Sequence, residues 1–189
     1  MKFCTECGQR LVKKVPPGDS LERSVCVSCD SVHYQNPRII TGCIAHWQGE
    51  VLLCRRAIEP RTGCWTLPAG YMENDETMEQ GALREAREET GADIRLDTLY
   101  SVFDIKAINQ VYIIYRGVLL GPDLTAGPEC SDVRLFHPGE IPWDNLFYPA
   151  IGDLLQRYTD DLALGKFSLY TGTSEEGRVS RLEQDDIKA

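Results

Sequence analysis

Apolar residues fall in short blocks, separated by polar segments rich in glycine and proline. Ile39-Ile40-Thr41-Gly42-Cys43-Ile44-Ala45, within Arg38 to His46, has the composition of a strand. Gln48-Gly49-Glu50 reads as a hairpin turn, with Val51 to Arg55 as the partner strand. Glu59 to Gly63 is a loop, and Trp65 to Pro68 a short strand. Ile94 to Phe103 and Gln110 to Leu120 read as strands. Gly121 to Ser131, with its prolines and glycines, is a loop, and Val133 to Phe136 is one more short strand. Two segments carry helical spacing. Residues 77–90 are rich in Ala, Leu, Arg and Glu, all good helix formers. In Asn145 to Leu164 the residues Ile151, Leu154, Leu155, Tyr158 and Leu162 recur every three or four positions, so a helix begins there by Pro149. Strands mixed with two helices predict an α/β sandwich.

The pattern also divides the chain. Residues 1–35 carry cysteine pairs and little apolar material, and Asn36-Pro37 marks a boundary, because the residue before proline avoids helix. The main domain is expected over 36–165 and a polar C-terminal tail over 166–189, in which Thr171 to Ala189 wraps the surface or is disordered. The formal net charge is −9. Residues 1–35 hold +1 of it, and the remainder −10. Strong nucleic-acid binding is therefore not expected. If an acidic body acts on an anionic substrate, cations must bridge the two. Lys2 is followed by Cys4 and Cys7 rather than an apolar run, and no stretch is long enough to span a membrane. The expectation is a cytoplasmic protein without a membrane partner, in which structural disulfides are rare.

The helix at 77–90 is the chemically informative element. Thr77 and Gln80 form a capping box, which starts the helix near Met78. Gly91 stops it. Ala82, Leu83, Ala86 and Thr90 are expected to pack on a sheet, with Glu85, Glu88 and Glu89 together on a nearly opposite side. Three such carboxylates repel one another by roughly a few tenths of a kcal/mol per pair. Two of them sit in the last turn, where the helix dipole disfavours negative charge. A hard divalent cation relieves both problems. A solvated acidic face, balanced by Arg84 and Arg87, is the plainer alternative.

The spacing extends beyond the helix. Gly70, five residues, Glu76, seven residues, Arg84-Glu85, two residues, Glu88-Glu89, one residue and Gly91 reproduce the box of the Nudix hydrolases. Cys64-Trp65-Thr66-Leu67-Pro68-Ala69-Gly70 resembles that family's strand leading into the box, and Leu52-Leu53-Cys54-Arg55-Arg56 its earlier strand. The likeness runs from about Pro37 to Leu164. It implies a Nudix α/β/α sandwich with a mixed sheet, Mg²⁺ or Mn²⁺ held by Glu85, Glu88 and Glu89, Glu76 assisting, and Arg84 orienting the carboxylates. The family usually adds a carboxylate from a distant loop; Glu129 is preferred here over Asp132. A homodimer is also expected by analogy. Arg55 and Arg56 are candidate phosphate contacts.

Cys4-x-x-Cys7 and Cys26-x-x-Cys29 are separated by 18 residues. This is zinc-ribbon spacing, and four thiolates close a structural Zn²⁺ site. Iron at a rubredoxin-like site and redox disulfides are the alternatives. Cys43, Cys54, Cys64 and Cys130 lack such spacing and are expected as buried small apolar side chains. His33, His46 and His137 are expected in surface or hydrogen-bonded roles. A Cys4 ribbon running into Val32-His33-Tyr34-Gln35-Asn36-Pro37-Arg38 resembles the Nudix branch that holds NADH pyrophosphatases and relatives acting on ADP-ribose or FAD. Tyr34 is a candidate for stacking on adenine. The branch's Ser-Gln-Pro-Trp-Pro-Phe-Pro signature is absent, and Ile108-Asn109-Gln110-Val111-Tyr112 looks more like the ADP-ribose and FAD relatives. The resemblance thus implies a nucleotide pyrophosphatase releasing AMP from ADP-ribose or FAD. Alternatives are removal of nucleotide caps from RNA 5′ ends, a non-catalytic nucleotide sensor, and a zinc-ribbon adaptor. The sensor would lose box carboxylates, and the adaptor leaves the box unexplained.

Overall fold

The computed structural model describes residues 1–174 and 178–181. The chain divides into two compact units, Met1–Pro37 and Arg38–Ala189. The first holds a three-stranded antiparallel sheet of β1 (Leu11–Lys14), β2 (Arg23–Cys26) and β3 (Val32–His33). Its buried side chains include Cys4, Val25 and Cys26. That core is too small to hold the unit by itself.

The second unit is built on β4 (Arg38–Trp47), β5 (Glu50–Arg56), β6 (Trp65–Thr66), β7 (Ala69–Tyr71), β8 (Ile94–Ile105), β9 (Gln110–Leu119), β10 (Cys130–Phe136), β11 (Tyr170–Thr173) and β12 (Arg178–Arg181). The strand order is β10-β5-β4-β9-β8-β11-β12, with β6 on β5 and β7 on β4. Pairs β4/β9 and β8/β11 are parallel and the others antiparallel, so the sheet is mixed. Two helices cover it, α1 (Met78–Thr90) and α2 (Pro149–Leu164).

Strand alternation puts a core on each face. Ile44 of β4, Leu53 of β5 and Tyr112 and Ile114 of β9 pack with Ile151, Leu154, Leu155 and Tyr158 of α2. Their neighbours Cys43, Ala45, Leu52, Ile113 and Tyr115 pack with Ala82 and Ala86 of α1. A helix on each face makes an α/β/α sandwich. Small residues on α1 let it sit close to the sheet.

The structure departs from the expected elements in three places. Residues 69–71 form a strand with no apolar period to announce it; its partner is the middle of β4, through Ile40↔Tyr71 and Gly42↔Ala69. The segment expected as a polar tail instead adds β11 to β8, anchored by buried Tyr170, whose hydroxyl donates to Asp161 at 2.8 Å. Backbone pairing substitutes there for apolar side chains. The rest of that expectation, at 175–177 and 182–189, lies outside the described residues.

The third departure is the face of α1. Glu89 is buried with Gly81, Ala82, Ala86 and Thr90, while Leu83 is 36% exposed. At about 100° per residue, Glu85 and Glu89 fall inside the half-turn running from Gly81 to Thr90, and Leu83 falls beyond it. Glu89 therefore lies within the packing face and Glu85 near its Gly81 edge, rather than opposite it. Among the described residues no helix is long and apolar enough to cross a membrane.

Candidate active site

Helix α1 is set in place by its ends. Thr77 Oγ1 accepts from Gln80 N, and the Gln80 side chain accepts from Thr77 N, closing the capping box. Gly91 closes the other end in the left-handed conformation. The last turn's carbonyls then receive a distant loop: Thr125 N donates to Thr90 O at 2.8 Å, and Gly127 N to Glu89 O at 3.0 Å. These are groups a helix end leaves unpaired. A Cβ at Gly127 would overlap the Glu88 carbonyl, so the approach requires glycine. This docking brings Glu129 to the carboxylate helix.

A cavity of about 670 Å³ lies there, lined by Glu85, Glu88, Glu89 and Glu129, with Glu73 and Arg84. Gly70 lines it too, and a Cβ on Gly70 would overlap the Glu85 carboxyl. Arg84 ties the acidic groups together. Its Nη2 and Nε meet Glu76 at 2.7 and 2.9 Å, and its Nη1 meets Glu85 at 2.7 Å and Glu88 at 3.2 Å. Nη2 also donates to Tyr71 O at 3.0 Å, which joins the β7 turn to the helix. The Arg84 guanidinium beside Glu76 holds that carboxyl down at about 2.

Glu89 is in the opposite situation. It is 8% exposed, and Ala69 N donates to its Oε2 at 3.0 Å. Burial first, and then the charges of Cys130 and Glu85, push its carboxyl up to about 8. Burial raises Glu85 as well, against the opposing pull of Arg84. Crowded, partly desolvated oxygen donors around one cavity suit a hard divalent cation, whose charge would reverse both shifts.

The rest of the cavity is different in character. Tyr71, Gln110, Tyr112, Phe147 and Tyr148 line it, with Arg56. Gln110 Nε2 donates to the Tyr71 hydroxyl at 3.0 Å, and the Tyr112 hydroxyl donates to Gln110 Oε1 at 3.2 Å. The Arg38 guanidinium lies 4.9 Å from the Tyr71 ring centre, and that of Arg56 lies 4.1 Å from the Phe147 ring centre.

The structure separates the two arginines expected at phosphate. Both brace the 59–63 loop, Arg55 through Gly63 O at 3.0 Å and Arg56 through Pro60 O at 3.1 Å, but of the two Arg56 alone lines the cavity. Successive residues of a strand point to opposite faces, so both cannot serve one site. Tyr34, in the first unit, is 65% exposed, with Arg23 over its ring at 5.3 Å. Asp132 pairs with Arg134 at 2.6 Å and is absent from the lining. Sequence reasoning missed the aromatic wall. Its one signal was the Gln110-Val111-Tyr112 run, because the other members come from separate segments.

In the first unit, the Sγ atoms of Cys4, Cys7, Cys26 and Cys29 all lie within 4.8 Å of one another. Cys4–Cys29, Cys7–Cys26 and Cys7–Cys29 are 3.7, 3.4 and 3.5 Å apart. Tetrahedral zinc with Zn–S of about 2.3 Å needs sulfurs about 3.8 Å apart, so the four thiols fit it. Glu6 N and Ser28 N point at Cys4 and Cys26 Sγ, both at 3.4 Å, and His33 Nε2 is 3.3 Å from Cys4 Sγ. None of the eight cysteines is in a disulfide. His137 Nδ1 accepts from Gly139 N.

Comparison with known proteins agrees with this architecture. The NUDIX domain family matches residues 36–158, and the Nudix N-terminal zinc-ribbon family matches residues 2–35. The crystal structure of a NUDIX hydrolase from Nitrosomonas europaea superposes with a TM-score of 0.89 at 46% identity, covering 92% of this chain and 98% of that one. An ADP-ribose pyrophosphatase of Methanocaldococcus jannaschii is 27% identical over 58% of this chain and 67% of its own length. An NAD-capped RNA hydrolase, NudC, of Vibrio vulnificus is 34% identical over 75% of this chain and 53% of its own. The chain thus spans about half the length of that relative. The chain belongs to the NUDIX family. It is a Nudix hydrolase domain preceded in the sequence by a zinc-ribbon module.

Proposed function

We propose that this chain hydrolyses the diphosphate bridge of an adenosine diphosphate conjugate of the NAD type, either free or at the 5′ end of an RNA. One observation carries the reading: a single cavity of about 670 Å³ combines a carboxylate wall with a wall of four aromatic rings. The first suits a cation-bridged diphosphate, and the second suits planar bases, which stack on aromatic side chains. The volume is within the range of pockets for such ligands, roughly 300–1,000 Å³.

Glu85, Glu88 and Glu89 would hold Mg²⁺ or Mn²⁺, which supplies neutralisation of the diphosphate oxygens and acidification of a bound water. Arg84 keeps its proton throughout and fixes Glu76 and Glu85 in place. Glu129, brought in by its loop, accepts the water proton. The water oxygen forms a bond to one phosphorus as the bridging P–O bond breaks, and the departing phosphate carries away the charge. Arg56 and the aromatic wall hold the rest of the substrate. The four-cysteine module would carry structural Zn²⁺ and take no part in the chemistry.

The NAD-type linkage has the broader support. NAD-capped RNA hydrolases match over 75% of this chain, against 58% for the ADP-ribose pyrophosphatase. ADP-ribose or FAD is the second reading, favoured by the missing Ser-Gln-Pro-Trp-Pro-Phe-Pro stretch and by the Gln110-Val111-Tyr112 run at the cavity. The test incubates the protein with Mg²⁺ or Mn²⁺ and, separately, NADH, NAD-capped RNA, ADP-ribose and FAD, with products resolved by chromatography. Fastest cleavage of NADH or of capped RNA, to AMP or to 5′-monophosphate RNA, supports the first reading. Preferred release of AMP from ADP-ribose or FAD supports the second. Tight binding of one compound with no cleavage contradicts both and favours a sensor.

A further inference from the structure

The catalytic reading uses Glu89 but neither of the two thiols beside it. Cys54 on β5 is fully buried, and Cys130 at the start of β10 is 7% exposed. The two sulfurs and a Glu89 oxygen all lie within 4.8 Å of one another. The Cys54 thiol donates to Glu89 Oε2 at 3.6 Å and to Thr66 O at 3.6 Å. We propose that Cys54, Cys130 and Glu89 form a second metal site, selective for a soft cation such as Zn²⁺, whose occupation takes the active-site carboxylate out of use.

The geometry and the donor chemistry agree. A tetrahedral ion bound at about 2.3 Å to sulfur and about 2.0 Å to oxygen needs a sulfur–oxygen separation of about 3.5 Å. The observed 3.6 Å between Cys54 and Glu89 needs almost no rearrangement. Thiolates select Zn²⁺ or Cd²⁺ over Mg²⁺, while the carboxylates facing the cavity select the reverse. Glu89 belongs to both sets, since it also lines the cavity and so offers a route in. Three protein ligands leave a fourth position for water. Binding releases to solvent the protons carried by the two thiols and by the Glu89 carboxyl. A carboxylate oxygen engaged by a soft ion at this site is lost to the hard cation on the cavity side, so Zn²⁺ inhibits.

Inhibition rests on the catalytic reading, whereas metal binding is measured without it. Protein already carrying zinc in its ribbon is dialysed against Zn²⁺, and bound zinc is counted. Cd²⁺ titration then follows the sulfur-to-metal charge-transfer absorbance. Wild type should take up one equivalent more than the Cys54→Ser/Cys130→Ser variant, and show additional thiolate absorbance. The Zn²⁺ concentration that halves Mg²⁺-supported turnover, each protein referred to its own zinc-free rate, should rise at least about tenfold in the variant, because even outer ligand losses weaken metal sites that much. The single variant Cys130→Ser, at a strand end, gives the same comparison should the double variant melt early. Equal zinc uptake and equal absorbance in wild type and variants would overturn the site. Extra uptake with unchanged inhibition would overturn its coupling to Glu89.

Discussion

Burial of Glu89 beside Cys54 and Cys130, with Glu85 near, raises its carboxyl to about 8. An ordinary carboxyl titrates near 4.5, the value expected in the unfolded chain. The folded, metal-free protein therefore holds that proton more tightly than the unfolded one, and the stability this contributes is full below about 4.5 and lost as pH rises through about 8. The melting temperature of metal-free protein should fall across that window. Glu89→Gln should flatten the fall, and Mg²⁺ should offset it. A melting profile in metal-free buffer that is the same for wild type and Glu89→Gln would contradict the assignment. Arg56 offers a second residue-scale check. Its guanidinium spans the Phe147 ring and the Glu59 and Pro60 carbonyls, so Arg56→Ala should raise KM more than it lowers kcat. A fall in kcat alone would place Arg56 at the reacting phosphorus instead. Neither residue's setting was legible from sequence. The box identifies Glu89 as a candidate ligand, but its burial depends on β5, β6 and the docked loop.

Elements were legible to the degree that their signals are local. The start and end of α1 follow from Thr77, Gln80 and Gly91, all within a turn of the helix ends. Thr77→Ala should lower stability by about 1 kcal/mol in urea unfolding, with the Mg²⁺-dependent chemistry retained. Helix α2 was readable from its period, and Leu154 is fully buried beneath it. Leu154→Ala should cost about 2–5 kcal/mol; a loss under 1 kcal/mol would mean that α2 does not cap the sheet as described. Strands β7 and β11 were missed because they are three and four residues long and depend on pairing with β4 and β8. The helix face was misjudged for a different reason. Ala82, Ala86 and Thr90 lie on it as expected, but apolar Leu83 falls beyond it, and Gly81 and the charged Glu89 belong to it.

The two units carry different candidate metal donors. Sulfur donors lie in Met1–Pro37 and clustered oxygen donors in Arg38–Ala189, apart from the thiol pair at Glu89. With so few buried apolar residues, the first unit should depend on its metal. Cys26→Ser should remove one bound zinc and abolish hydrogen-exchange protection in β1 and β2, while β4 and β9 keep theirs. Protection retained in β1 and β2 would show that the ribbon stands without zinc. The sandwich was readable from the box, and the four-cysteine module from its cysteine spacing. The aromatic side of the cavity was not, because Tyr71, Tyr112, Phe147 and Tyr148 meet only in three dimensions. On the proposed reading, hydrolysis depends on the cation that the α1 carboxylates would hold. The most direct test is turnover of Glu89→Gln at saturating Mg²⁺ on whichever diphosphate the wild type cleaves fastest, with melting temperature recorded alongside. The expected result is a loss of roughly 100-fold or more in kcat with the fold intact. A folded variant that turns over within a few-fold of wild type would contradict it.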